Sequence, residues 1–394
     1  MKVLICNTLE RKGGAAKATH RIYESVKQQG VDAIYVYKYK DGAESESIIP
    51  KIDAIPKYLF SNNRKIPFST SVFSFGGQKL IKKYNPDIVH LNYINMGMFS
   101  IREIGQINKP VVWTIHDSWT FTGGCHLPND CQRYKNSCGN CPALESKKTH
   151  DLSNFVFNQK LKYWKGKNIH LVCPSKWIMS KAKESPLFEE GNIHLIPNPI
   201  NTDIFKPMDK RISREKYNLR ADKHYILFGS INPFEDPNKG FHLLIESLKR
   251  IKTPNTELLV FGSQTNIPKI KSKFPIKNIG FIKNENDLAY LYSAVDITVN
   301  TSISENLPNT IMESLACGTP CIGFRIGGIP DIINNKILGK TVSPFNVLEF
   351  ASSIDSEIGK ESINKKEISK NIEKRFGYNT ISKEYLSLYQ SLTL

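Results

Sequence analysis

Along the whole chain, short β-branched apolar runs alternate with longer segments of helical periodicity, in two series separated by one proline-rich stretch. Lys2–Cys6 (KVLIC) reads as a buried strand, followed by the loop NTLERKGGAAK and an amphipathic helix to about Gln29. VDAIYVY, DIVHL, VVWTIH, IHLVCPS and IHLIPNP are further strands of the first series. Pro197–Arg211 (PNPINTDIFKPMDKR) reads as a linker. After it come YILFGSI, a helix from about Lys239 to Arg250, TELLVFG, IGFI, a helix over ENDLAYLYSA, then DITVN and CIGF. Strands that alternate with helices pair in parallel, because the helix returns the chain to the starting edge. The pattern predicts an α/β protein of two doubly wound domains facing each other across a cleft, with ligands beyond the carboxyl ends of the strands. The expected boundaries are 1–200 and 201–375, with 376–394 a C-terminal helix packing back on the first domain. A length of 394 residues suits two cores of ordinary size.

Lys+Arg 54 against Asp+Glu 37 leaves a net charge of +17, which favours an anionic partner: a phosphorylated ligand, an acidic membrane surface or nucleic acid. No apolar run approaches the length of a membrane span, and the apolar run at the N-terminus is too short for a secretory core. A cytoplasmic location is therefore expected.

Ser302–Phe324 reads SISENLPNTIMESLACGTPCIGF. DITVN is a strand, TSISENLP is the loop leaving its carboxyl end, and a helix begins near Pro308, a residue suited to a first turn where no N–H is needed. Gly318 ends that helix and Pro320 follows. Glu305 thus lies on the loop and Glu313 about a turn into the helix. The N–H groups at the helix start favour an anion, and a diphosphate there would have one carboxylate near each end. Carboxylates accept paired hydrogen bonds from vicinal hydroxyls, so one could hold a ribose and the other a sugar.

ENLPNTIMESLACGTP resembles the E-x7-E motif of the retaining family-4 glycosyltransferases, whose GT-B fold consists of two facing Rossmann-like domains. The likeness continues, in order, through KGGAAKATHRIYESVKQQG, PDIVHLNY, TIHDSW, VCPSKW, IPNPINTDIFKP, ILFGSINPFEDPNKGFHLLIESL and FRIGGIPDII. WTIHDSWTFTGGCHLPNDCQRYKNSCGNCPAL resembles a subgroup associated with capsule, exopolysaccharide and O-antigen assembly. The resemblance implies transfer of a sugar, with retention, from a nucleotide-diphosphate sugar to a saccharide or polyprenyl-linked acceptor. It implies that Glu313 binds the ribose, Glu305 the transferred sugar, and Lys239 the diphosphate, with the backbone of Asn306, Leu307, Pro308 and Asn309 around it. Phe281 and Ile282 would lie beside the base, and Gly13, Gly14 and Gly229 would complete the donor site. His116 would contact the donor sugar and, with Glu305 and Lys239, carry catalysis. No cofactor is required in such enzymes.

Two positions depart from the pattern. Ser230 follows Gly229 where many relatives carry arginine, and Asn238 precedes Lys239 where a basic residue is common. Arg11, Lys12 and Arg325 are candidate substitutes. His90, which ends DIVHL, reads as structural.

Cys125, Cys131, Cys138 and Cys141 are spaced C-x5-C-x6-C-x2-C within the insertion 123–145. The closing CGNC suits a zinc knuckle, and packing by four reduced thiols is the alternative. Any zinc would be structural. Lys57–Tyr84 mixes cations with aromatic rings, as a segment resting on an anionic bilayer would; packing inward is the alternative. With the resemblance, this places the expected enzyme peripherally at the inner face of the cell membrane. Rival functions are a sugar-nucleotide epimerase or phosphorylase of the same fold, or a zinc-bearing nucleic-acid binder. The last lacks a recognisable binding module, and nucleic acid is not an expected partner.

Overall fold

The computed structural model describes residues 1–393 apart from 44, 46, 62, 64, 65, 75, 189–191, 264, 266, 269–271 and 361–363. The chain divides into two compact units, Met1–Pro199 with Ile381–Leu394, and Ile200–Thr380.

The first unit contains a six-stranded parallel sheet of β1 (Lys2–Leu9), β2 (Asp32–Tyr39), β3 (Ile88–Leu91), β4 (Val111–Thr114), β5 (Ile169–Cys173) and β6 (Ile193–Leu195). Its order is β2-β1-β3-β4-β5-β6, so the winding reverses between β1 and β3. Its helices are α1 (Gly14–Gln28), α2 (Ile49–Phe60), α3 (Gly77–Tyr84), α4 (Ile101–Gly105), α5 (Leu152–Trp164) and α6 (Lys176–Lys183). Leu4 and Cys6 pack with Trp113 on one face, while Val3 and Ile5 pack with Val112 on the other. Both faces are covered, which is why β1 is a continuous apolar run rather than an alternating one.

The second unit has β7 (His224–Gly229), β8 (Thr256–Phe261), β9 (Ile276–Gly280), β10 (Ile297–Asn300), β11 (Cys321–Phe324) and β12 (Gly339–Val342), with α7 (Lys210–Lys216), α8 (Phe241–Leu248), α9 (Glu285–Ala294), α10 (Asn309–Ala316), α11 (Ile329–Ile332), α12 (Val347–Glu357) and α13 (Lys365–Phe376). The sheet order β12-β11-β10-β7-β8-β9 is that of dinucleotide-binding folds, with the winding reversing between β7 and β10. The loops that leave those two strands carry Lys239 and Glu305.

The last helix, α14 (Tyr378–Ser391), places Ile381, Tyr385, Leu388 and Tyr389 in the same apolar cluster as Val3 and Ile5. Burying each such side chain is worth roughly 1.5–3 kcal/mol. The fully buried His90 ties this helix to the sheet: its Nδ1 lies 2.6 Å from the Tyr389 hydroxyl and its Nε2 2.8 Å from Thr114 Oγ1. Burial pushes its pKa down to about 3, so it stays neutral.

Several element ends differ from the sequence expectation. β4 stops at Thr114, leaving His116 two residues beyond it. β9 begins at Ile276, ahead of IGFI. Pro237–Lys239 forms a separate 3-10 turn because the Asp236 carboxylate caps Asn238 N–H, and Gly240 at φ +67° breaks it from α8. Pro308 is the N-cap of α10 rather than its first helical residue, since its ψ of 117° is extended. β12 went unread: GKTV is short and begins with glycine and lysine.

Candidate active site

At the reversal point of the second unit, the loop after β7 and the loop after β10 are joined side by side. Asn238 Nδ2 donates to Ser304 O at 2.9 Å, and Ser304 N–H donates to Asn238 Oδ1 at 3.0 Å. Ile303 N–H donates to Asn238 O at 2.7 Å. Thr301 Oγ1 donates to the carbonyl of Gly240 at 2.9 Å. The backbones approach so closely that a Cβ at Gly240 would stand 1.8 Å from Thr301 O. Only glycine fits there, for reasons of space and of φ.

This seam presents Lys239 beside Glu305, with Nζ 3.4 Å from Oε2. Ser302 Oγ donates to the same carboxylate oxygen at 3.2 Å. Glu305 first, and Asp236 further off, raise the Lys239 pKa against the opposing effect of burial, so the lysine is a firm cation. From the other side Gly328 N–H donates to Glu305 O at 3.3 Å, and a Cβ at Gly327 (φ +53°) would lie 1.6 Å from that oxygen. Glu305 is thereby held by its backbone and its side chain.

Glu313, on the first turns of α10, is only 2% exposed, and its Oε2 accepts from the Tyr292 hydroxyl at 2.9 Å. Leu307 is buried in the core of the second unit. Gly229 is accounted for by packing, since a Cβ there would stand 1.9 Å from the Phe261 ring. Beyond β9, Phe281 is exposed while Ile282 packs on the core. Arg325, which follows β11, is exposed.

The first unit holds the remaining candidates. Gly13 is the N-cap of α1 at φ +98°, and a Cβ there would meet nothing within 4 Å, so its conformation rather than crowding by the protein calls for glycine. Gly14 opens α1. Arg11 NH2 lies 2.8 Å from His20 Nε2, and the N–H groups of Arg11 and Lys12 donate to Asp41 Oδ1. His116 Nε2 lies 3.1 Å from Asn92 Oδ1. Burial lowers the His116 pKa to about 4 despite nearby Asp117, so the ring is neutral at pH 7. Sequence reasoning missed a chain beside it: Asp117 Oδ2 is 2.7 Å from His126 Nδ1, and His126 Nε2 is 2.9 Å from Ser69 Oγ. Ser69 lies 57 residues from His126, and no local pattern signals the pairing.

All four clustered cysteines are free thiols, and they line one small cavity. Among the described residues, no group of three or more His, Cys, Asp or Glu side chains is already gathered to hold a metal ion. In the basic aromatic segment, α2 exposes Ile55, Tyr58, Leu59 and Phe60, but Lys57 and Phe68 are buried. The inward turn of those two side chains removes them from any membrane face. Asn62, Arg64, Lys65 and Phe75 of that segment lie outside the described residues.

Residues 12–204 match the family model described as Glycosyltransferase Family 4, and residues 209–375 the model described as Glycosyl transferases group 1. The chain belongs to the glycosyltransferases built from these two domains in succession, and its fold is GT-B. It is 22% identical, over the full length of both chains, to WcaC of Escherichia coli (strain K12), described as a colanic acid biosynthesis glycosyl transferase. A glycosyltransferase from Rickettsia africae ESF-5 superposes with a TM-score of 0.68 at 22% identity, covering 99% of this chain and 98% of that one. Anabaena Alr3699/HepE in complex with UDP-glucose gives a TM-score of 0.66 at 15% identity, with full coverage of both chains.

Proposed function

We propose that this glycosyltransferase moves a sugar, with retention, from a nucleotide-diphosphate sugar to a saccharide or polyprenyl-linked acceptor during assembly of a cell-surface polysaccharide. The observation that carries the reading is the Lys239–Glu305 pair, 3.4 Å apart at the sheet's reversal point, directly ahead of α10. As the glycosidic bond to the diphosphate breaks, negative charge grows on the leaving group and positive charge on the sugar ring. Lys239 and the amides entering α10 stabilise the first, and the Glu305 carboxylate stabilises the second. Glu313, oriented by Tyr292, accepts from the ribose hydroxyls. His116, kept neutral by burial, serves as a hydrogen-bonding partner for sugar hydroxyls rather than as a cation. Colanic acid, named for the Escherichia coli relative, is the kind of product that motivates the pathway assignment.

The enzyme works at an anionic membrane surface in this reading, with the exposed Leu59 (72%) and Phe60 (67%) of α2 as the contact. No helix among the described residues is long and apolar enough to cross a membrane. The test is incubation with UDP-, GDP- and ADP-sugars and lipid-linked or free saccharide acceptors, with products analysed by mass spectrometry and anomeric NMR. An α-linked product from an α-linked donor supports the reading. Epimerised donor with no transfer, or inversion, refutes it.

A further inference from the structure

We propose that Cys125, Cys131, Cys138 and Cys141 bind a structural zinc ion that pins the insertion of the first unit. The four side chains line a single cavity with about 10 Å³ of free space, room for one small ion. Four soft thiolates select zinc or an iron–sulfur cluster, and the closing C-x2-C suits the tight knuckle of a tetrahedral zinc site.

The backbone around the cysteines is committed to this arrangement. Cys138, Gly139 and Asn140 all have positive φ, at 57°, 89° and 45°, a costly run that folds the CGNC segment into a tight knuckle. Gly139 N–H donates to Ser153 Oγ at 3.0 Å and Cys141 N–H to Asp151 Oδ2 at 2.8 Å, fastening the knuckle to the start of α5. Gly123 N–H also reaches Cys138 Sγ at 3.2 Å.

Lys160 is fully buried beside the cluster, its Nζ donating to the carbonyls of Trp119 and Thr122 and lying 3.7 Å from the Trp119 ring centroid. His126 is committed to Asp117 and Ser69, which leaves cysteine as the ligand type. The thiols now stand around the cavity wall, and Zn–S bonds of about 2.3 Å would draw them inward by side-chain rotation.

The test uses the full chain purified anaerobically. Elemental analysis is expected to give one zinc per chain. Cobalt(II) substituted into the wild-type protein is expected to show sulfur-to-metal charge transfer with the intense visible bands of a tetrahedral thiolate site. Cys138→Ser with Cys141→Ser should abolish both signals. Protein free of metal, four thiols reacting freely under native conditions, disulfides among them, or an octahedral cobalt spectrum would each overturn the proposal. The cobalt spectrum needs no variant to fold, so the inference stays testable if the double variant does not.

Discussion

Asn238→Ala removes the two side-chain hydrogen bonds that join the Lys239 loop to Ser304, at 2.9 and 3.0 Å. Each is worth about 0.5–1.5 kcal/mol net, so the pair is worth roughly 1–3 kcal/mol. Ser304 is half-buried and water can replace part of the loss, so a value of about 1.4 kcal/mol, tenfold in an equilibrium constant, is the working figure. Asn238 would touch no ligand. It keeps Lys239 and Glu305 in register, so its effect should depend on the groups it positions. The assay is calorimetric titration of the nucleoside diphosphate into wild type, Asn238→Ala, Lys239→Ala and the double variant. The expectation is about tenfold weaker binding for Asn238→Ala alone and a much smaller further loss when Lys239 is already absent. Asn238→Asp should bind worse than Asn238→Ala, because it adds negative charge beside the anion. Unchanged affinity in Asn238→Ala, or strict additivity with Lys239→Ala, would refute the positioning argument.

Gly327→Ala should reduce transfer at least tenfold, because its Cβ would meet the Glu305 carbonyl at 1.6 Å and φ of +53° disfavours alanine; steady-state kinetics with a check of folding by circular dichroism reads this. Tyr389→Phe strands His90 Nδ1 in a buried site and should cost about 1–3 kcal/mol, measured by denaturant unfolding. Burial raises the Asp53 pKa from 3.8 to about 6, against opposition from Met96 and Ser71 amides, His126 and Lys38. Because the folded value lies above the unfolded one, this group favours folding below pH 3.8 and that contribution is lost as pH rises through 6. Asp53→Asn should therefore stabilise the protein above pH 6 and flatten the stability profile between these values; unfolding curves across pH 4–8 check it.

The two series of strands were legible because each strand depends on local pattern, an apolar run of strand length set off by glycine or proline at the helix ends, whereas the pairing of Lys239 with Glu305 was expected only from the family resemblance. What joins distant segments was not. Asn238 read as a missing cation, whereas its amide is a two-way clamp on a loop 66 residues away. Tyr292 gave no sign that it orients Glu313. His90 was read as structural, yet nothing before Tyr385 and Tyr389 shows which helix would satisfy it. Gly229 drew notice as a donor residue, while the Phe261 ring packed against it already explains a glycine there.

The account rests on the second unit gripping a diphosphate at Lys239. Titrating UDP, GDP and ADP into the wild type and into Lys239→Ala tests this most directly. At least one nucleotide should bind the wild type, and loss of the lysine's charge-assisted hydrogen bond, about 1.5–3 kcal/mol, should weaken it by roughly 10- to 150-fold. Equal affinity in the two proteins, or no binding of any nucleotide to the folded wild type, would contradict it.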